Sequence, residues 1–192
     1  MITIAWDIDD VLNDLMKCWF EEKWLQAHPN CKKGYADLKE NPPHKILGIS
    51  HQEYLQSLDE YRLSRNYIRM KPVKEVWEWF LNHGDRFRHI ALTAVPLKAA
   101  FISAHWVFKN YGKWIRTFHF VPSKREGEDN PEYERNKGDF LKWFGKVDIL
   151  IDDNFENIKN AEKAGAKSLI IPRPWNNQMK TIEEVLHTII TI

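Results

Sequence analysis

Two cysteines in 192 residues, Cys18 and Cys31, are too few for a disulfide framework, and their spacing matches no zinc motif. They read as free thiols of a reducing compartment. No apolar run is long enough to span a bilayer, and Met1–Trp6 meets Asp7 with no positively charged leader before it. Neither a signal peptide nor a membrane anchor is expected. An excess of one charge is also missing, since 28 Lys+Arg stand against 27 Asp+Glu for a net charge of +1. That balance lacks the broad basic field used to hold nucleic-acid polymers or anionic membranes. The eight histidines show no His-x-x-x-His spacing, which argues against a histidine-based metal site. Internal repeats and low-complexity tracts are absent too. A cytoplasmic protein with a small-molecule partner is the expectation, with the oligomeric state left open.

What is present is an ordinary globular mixture, 43% hydrophobic and 29% charged, with enough apolar material for a real core. Nine tryptophans point to an aromatic-rich interior or pocket. Five short apolar runs are separated by helical patterns: Ile2–Trp6, His89–Thr93, Thr117–Val121, Val147–Ile151 and Ser168–Ile171. Near-continuous apolar runs of this length suit central parallel strands covered on both faces. Helices are expected from about Val73 to His83, over Leu97–Tyr111 with Gly112 as its stop, and at Gly138–Phe144. Two more should run over Phe155–Lys163 and Thr181–Ile189, the latter with Thr181 and Glu184 spaced as a capping box. This alternation predicts a doubly wound, Rossmann-like parallel α/β sheet with right-handed crossovers.

Between Asn13 and Lys71 the rhythm breaks. No strand is convincing there, and Asp14–Gln26 and Gln52–Leu63 are the clearest helical pieces. Such a length is too great for a crossover loop, so it is expected to be a helical insert over the sheet. The boundaries follow: residues 1–14 and 72–192 as the α/β core, 15–71 as the helical insert. The charged, proline-bearing stretch Ser123–Asn136 is expected to be a mobile surface loop.

In an open parallel sheet, ligands bind beyond the carboxyl ends of the strands, near the switch in strand order. After the first apolar run come Asp7-Ile8-Asp9-Asp10, the second ends in Thr93, and after the fourth come Asp152-Asp153. A lone Asp after a strand is common helix-capping material. Two acidic clusters at strand ends differ, because crowded carboxylates raise one another's pKa unless a cation neutralises them. A hard divalent ion with oxygen ligands, Mg²⁺ above all, resolves that conflict. Of Asp7 and Asp9, one carboxylate can attack phosphorus while the other protonates the leaving oxygen. Asp10 is expected to be a solvated, helix-capping turn residue. Asp14 is read the same way, and Asn13 either caps or serves a hinge.

With these residues in place, the sequence resembles the haloacid dehalogenase (HAD) superfamily. Ile4-Ala5-Trp6-Asp7-Ile8-Asp9-Asp10-Val11-Leu12 matches its first motif and Ile90-Ala91-Leu92-Thr93 its second. Asn136-Lys137-Gly138 fits the third, a lysine opening a helix, and Ile149-Leu150-Ile151-Asp152-Asp153 the fourth. The resemblance implies Asp7 as nucleophile and Asp9 as general acid/base that also helps hold Mg²⁺. It further implies Thr93 with Ala94 at the phosphoryl oxygens, Lys137 as the neutralising cation, and Asp152 and Asp153 with Asp7 around the metal. An Asp two residues after the nucleophile marks phosphatases and phosphomutases within the superfamily.

A finer resemblance is to the 5′(3′)-deoxyribonucleotidase-like branch, carried by Asp-x-Asp-x-Val-Leu before Asn13-Asp14 and by Pro172-Arg173-Pro174-Trp175-Asn176. It implies a helical cap over the site and a nucleoside monophosphate as substrate. Two departures stand. The branch's eukaryotic members have Gly where Asp10 stands. Their third-motif lysine directly follows a strand, where this chain offers Lys124, so Lys137 and Lys124 both remain open. Lys98 lies near a substrate-phosphate lysine of that branch, one residue later than expected, and equally suits a solvated first helical turn. The aromatic residues Trp19, Phe20, Trp24, Tyr54, Tyr61 and Tyr67 fall at helical spacing and are mostly core of the insert. Trp77, Trp79, Trp106, Trp114 and Trp143 are assigned to core helices. The sequence thus implies a Mg²⁺-dependent phosphatase. The rivals are a phosphatase for a sugar or cofactor phosphate, a phosphomutase, and a non-catalytic nucleotide- or phosphate-binding protein.

Overall fold

The computed structural model describes residues 1–191. Five parallel strands, β1 (Thr3–Trp6), β2 (Arg88–Val95), β3 (Ile115–Pro122), β4 (Ile149–Asp152) and β5 (Lys167–Ile170), form one sheet in the order β3-β2-β1-β4-β5. Every expected strand is there. β2 and β3 run longer than their apolar runs, and β3 is an edge strand whose Arg116 and Thr117 are exposed. The order reverses at β1, whose Trp6 pairs with Ala91 on one side and Ile151 on the other. That switch point is where the sheet opens a crevice beyond its carboxyl ends.

β1 is wholly buried because both faces are covered, as its unbroken apolar sequence requires. Alternation along the strands sorts side chains into two layers. Ile4, Trp6, Ala91, Ile149 and Ile151 face α6 (Lys74–His83), α7 (Leu97–Tyr111) and α10 (Ile182–Ile190). Ala5, Ile90, Leu92 and Leu150 face α8 (Lys137–Phe144) and α9 (Phe155–Lys163). On the first face the Trp6 ring lies 4.8 Å from Phe80 and 5.4 Å from Trp79, centroid to centroid. Its Nε1 donates to His89 Nδ1 (3.0 Å), and His89 Nε2 lies 2.8 Å from Gly84 O, so the imidazole is held between a donor and an acceptor.

The residues between β1 and α6 are helical, as expected, but more broken. α1 (Leu15–Trp19) passes through a π-helical turn at Phe20–Trp24 into α2 (Leu25–Ala27). After α3 (His44–Leu47), the Ser50–Glu53 capping box starts α4 (His51–Arg62), and α5 (Arg65–Arg69) follows. The two chain segments that lead into and out of this insert lie side by side: Asn13 bridges Pro72, and Val73 N–H donates to Leu12 O at 2.9 Å. The insert rests on α7 through Tyr67 Oη–Ser103 Oγ (3.1 Å) and Trp106 Nε1–Met70 O (3.0 Å). Trp19, Phe20, Trp24, Tyr54, Tyr61 and Tyr67 are buried, as helical spacing predicts.

Two local expectations need correcting. Trp143 is 73% exposed, because α8 turns only one face to the sheet and residue 143 is on the other. Gly112 ends α7 as expected, without a left-handed turn; its backbone passes so close to Phe108 O that an added Cβ would stand 2.4 Å away. The stretch 123–136 lacks regular structure, as expected, but it is moored: Arg125 binds Asp59 and Gln52 binds Glu126. Among the described residues no helix is long and apolar enough to cross a membrane.

Candidate active site

β1 stops at Trp6 and delivers Asp7, whose N–H still donates to Ile151 O (2.9 Å). The chain then folds on itself, with the N–H groups of Val11, Leu12 and Asn13 all turned to Ile8 O. Asp10 makes this possible in the left-handed region, at φ 64°. Glycine is the easy residue there and Asp a tolerated one, which accounts for the departure from Gly at this position. Asp10 does cap the next helix, since Met16 N–H donates to its Oδ1 (2.9 Å). It is not solvated: only 4% is exposed, and burial, opposed by Arg173, pushes its pKa up to about 7. Asp14 makes no side-chain cap and pairs with Arg173 (2.9 Å), while Asn13 Oδ1 takes the N–H groups of Leu15 and Asp10.

Lys137 opens α8, which Asn136 caps through the Asp139 N–H. Its neighbour Gly138 lets the helix approach α9 so closely that an added Cβ would lie 2.7 Å from Asn160 O. The Lys137 ammonium, 1% exposed, sits 2.8 Å from Asp7 Oδ1 and 2.6 Å from Asp152 Oδ2. Burial would lower its pKa, but Asp152 and Asp7 outweigh burial and hold it above the ordinary lysine value. Lys124 pairs instead with Glu132 (3.2 Å) on the surface, and Lys98 is half-exposed, 3.4 Å from Asp59. Of the three lysines considered from sequence, the structure brings Lys137 to the strand ends.

Asp152 and Asp153 divide their contacts. Asp152 is fully buried and accepts from Lys137, the Asn154 N–H and Asn157 Nδ2. Asp153 lines the pocket, and Trp175 Nε1 donates to its Oδ2 at 2.8 Å. Asn176 Nδ2 fixes the backbone behind it by bonding Asp153 O and Ile171 O. Trp175-Asn176 was visible as a motif in the sequence, though not this role.

Asp9 is reached by Asn13 and by two residues of the insert that sequence patterns do not single out as site residues. Arg62, from the end of α4, lays Nε (3.1 Å) and Nη2 (3.0 Å) on its Oδ2. Tyr67 Oη (2.9 Å) and Asn13 Nδ2 (3.2 Å) donate to Oδ1. Arg62 also reaches Asp59 Oδ1 (3.2 Å), and Arg125 grips both oxygens of that same carboxylate (2.7 and 2.9 Å). Burial alone would raise Asp59, yet Arg125, Arg62 and Lys98 hold it below the usual carboxylate range.

These groups surround a pocket of about 260 Å³ at the strand ends. Its floor holds Asp7, Asp9, Thr93, Ala94 and Asp153; the insert adds Leu15, Met16, Tyr54, Leu55, Leu58, His51 and Arg62. Thr93 is 1% exposed, whereas Ala94 is open to the pocket. Asp7, Asp152 and Asp153 can each offer an oxygen within 4.8 Å of the others. Three buried carboxylates therefore face one ammonium. Burial first, then Asp152 and Asp153, push Asp7 well above the ordinary value; burial, then Asp152 and Asp10, do the same to Asp153. An all-oxygen donor set with uncompensated negative charge fits a hard divalent cation.

No protein-family model and no curated protein matches the sequence. Solved structures do match along the whole chain. A protein of Thermotoga maritima assigned as a β-phosphoglucomutase is 17% identical, with TM-score 0.64 and 100% of both chains covered. A predicted phosphatase from Clostridium acetobutylicum is 12% identical, with TM-score 0.67 over 100% of this chain and 99% of its own. YfnB of Bacillus subtilis, assigned as a HAD-hydrolase and solved bound to magnesium, is 14% identical, with TM-score 0.52 over 100% and 99%. The chain has the Rossmann-like α/β fold of these structures.

Proposed function

We propose that the protein is a Mg²⁺-dependent phosphate monoester hydrolase that works through a phospho-Asp7 intermediate on a compact ester. One observation carries this reading: the buried Lys137 ammonium bridges Asp7 and Asp152 at the switch point, with Asp153 and Thr93 beside it. Lys137 and the Ile8 N–H (2.7 Å) both hold Asp7 Oδ1, which leaves Oδ2 to attack phosphorus. As that bond forms, the bond from phosphorus to the alcohol oxygen breaks, and Asp9 gives its proton to the departing oxygen. Water then attacks the phospho-Asp7, Asp9 takes the proton back, and phosphate leaves. Thr93 and Lys137 stabilise the phosphoryl oxygens throughout. Mg²⁺ would be held by Asp7, Asp152 and Asp153 with Asp9 alongside, and would supply further positive charge against those oxygens.

Pocket volume supports a compact substrate, since about 260 Å³ lies below the ~300–1,000 Å³ of ordinary ligand sites. A nucleoside monophosphate is the second reading, favoured by the Tyr54 and His51 side chains in the pocket wall as partners for a base. The test is phosphate release from nucleoside monophosphates, small sugar and acid phosphates and p-nitrophenyl phosphate, each with Mg²⁺ and with EDTA. Mg²⁺-dependent release is expected, and turnover confined to nucleotides would favour the second reading. Asp7→Asn should abolish turnover with the fold intact; full activity in that variant would overturn the mechanism.

A further inference from the structure

Asp9 has four acceptor positions and four donors: two from Arg62 on Oδ2, and one each from Tyr67 and Asn13 on Oδ1. A carboxylate so engaged has no oxygen position free to carry the proton that a leaving oxygen needs. One donor must withdraw before Asp9 acts, on the reading of Asp9 given above. Tyr67 and Asn13 lie behind Asp9 and do not line the pocket; Asp9 and Arg62 do. Arg62 is therefore the donor that can be exchanged, and its departure exposes Oδ2 on the pocket side while Oδ1 stays fixed.

Arg62 cannot withdraw to nothing. Its side chain is 9% exposed, and a buried guanidinium without an anion is costly. Its other neighbour, Asp59, is already shared: Arg125 takes both of its oxygens and Lys98 approaches Oδ2. Three cations thus surround one carboxylate, and two of them, Arg62 and Arg125, face the pocket. The phosphoryl oxygens are met by Lys137 and Thr93, and Asp9 is the partner of the leaving alcohol, so an anion carried on that alcohol is placed to receive Arg62. The Nε–Nη2 fork now closed on Asp9 has the shape that accepts a carboxylate or a phosphate.

We propose that Arg62 is a specificity-determining residue that leaves Asp9 for a second anionic group on the substrate, so that the preferred esters are those whose alcohol carries a carboxylate or a second phosphate.

The proposal rests on the phosphatase reading, and the experiment separates the two. Turnover of 3-phosphoglycerate and of propane-1,3-diol bisphosphate is compared with that of glycerol 3-phosphate, a similar ester with no second anion. The wild-type protein should favour at least one anionic ester by roughly 10–100-fold in kcat/KM, the yield of a charge-assisted pair. Whichever is favoured identifies the second anion. Arg62→Met should bring the ratio to within about threefold of one, and Arg62→Lys, which keeps charge without the fork, should lie between. A wild-type ratio near one, or a ratio unchanged in Arg62→Met, would overturn the proposal. If no ester is turned over, the phosphatase reading fails and binding decides alone. By titration calorimetry on the Asp7→Asn protein with Mg²⁺, 3-phosphonopropionate should bind at least ~10-fold tighter than propylphosphonate. Equal affinities would refute the role of Arg62.

Discussion

Lys137 is the residue on which the pocket's electrostatics turn, because its ammonium is sealed between two carboxylates that would otherwise repel. Removing one partner of a buried ion pair leaves uncompensated charge, at a cost of about 3–5 kcal/mol. Lys137→Met should therefore lower stability in urea by that amount as well as abolish phosphate release, and a variant as stable as wild type would contradict the burial. A second buried group gives a pH signature. His89 accepts from Trp6 at Nδ1 and lies against Gly84 O at Nε2, an arrangement that only the neutral ring satisfies, and burial lowers its pKa to about 4. The unfolded imidazole titrates near 6.5, so between 6.5 and 4 the unfolded chain binds the extra proton. The His89 contribution should therefore be lost as pH drops through that window, by up to ~3 kcal/mol, against the opposite pull of the raised carboxylates Asp7, Asp10 and Asp153. Urea unfolding of wild type and His89→Gln from pH 4 to 7.5 checks this, because the stability advantage of wild type over the variant should shrink as pH falls toward 4.

At the scale of elements, α8 is placed by Gly138, whose missing Cβ lets its first turn meet the Asn160 carbonyl. Backbone cannot yield as a flexible side chain can. Gly138→Ala should push α8 from α9, withdraw Lys137 from Asp7, and cost about 1–3 kcal/mol. Assayed at saturating substrate, it should lose kcat while KM changes little; unchanged kcat would show that α8 is not what positions Lys137. The strands and their terminal acids were legible because a strand covered on both faces must be an unbroken apolar run, and chemistry follows where the run stops. Asp7, Asp9, Thr93 and Asp152-Asp153 are found that way. Lys137 was legible only as one of two lysines, since chain position does not say which ammonium folds back on Asp7. Arg62, Tyr67 and Arg125 were not legible as residues that grip Asp9 and Asp59. They come from the insert and an irregular loop, where periodicity marks core positions and says nothing about a polar tip that reaches across to another element.

For the whole molecule, the sheet holds three acidic groups together at its switch point with one ammonium to balance them, so folding itself accumulates repulsion. Whatever binds that cluster only in the folded state stabilises the entire chain. Mg²⁺ at about 100 times its Kd should add ~2.7 kcal/mol, and for a chain of this length each kcal/mol raises Tm by ~2–4 °C. Thermal melts in EDTA and in rising MgCl₂ should therefore separate by about 5–10 °C. Asp153→Asn makes the test specific. It keeps an oxygen for Trp175 Nε1 while removing a charge that burial and Asp152 oppose. Its Tm in EDTA should match or exceed that of wild type, and its Mg²⁺ shift should largely disappear. A Mg²⁺ shift as large in Asp153→Asn as in wild type would place the ion away from the strand ends, and with it the phosphoryl group that Lys137 and Thr93 are arranged to meet.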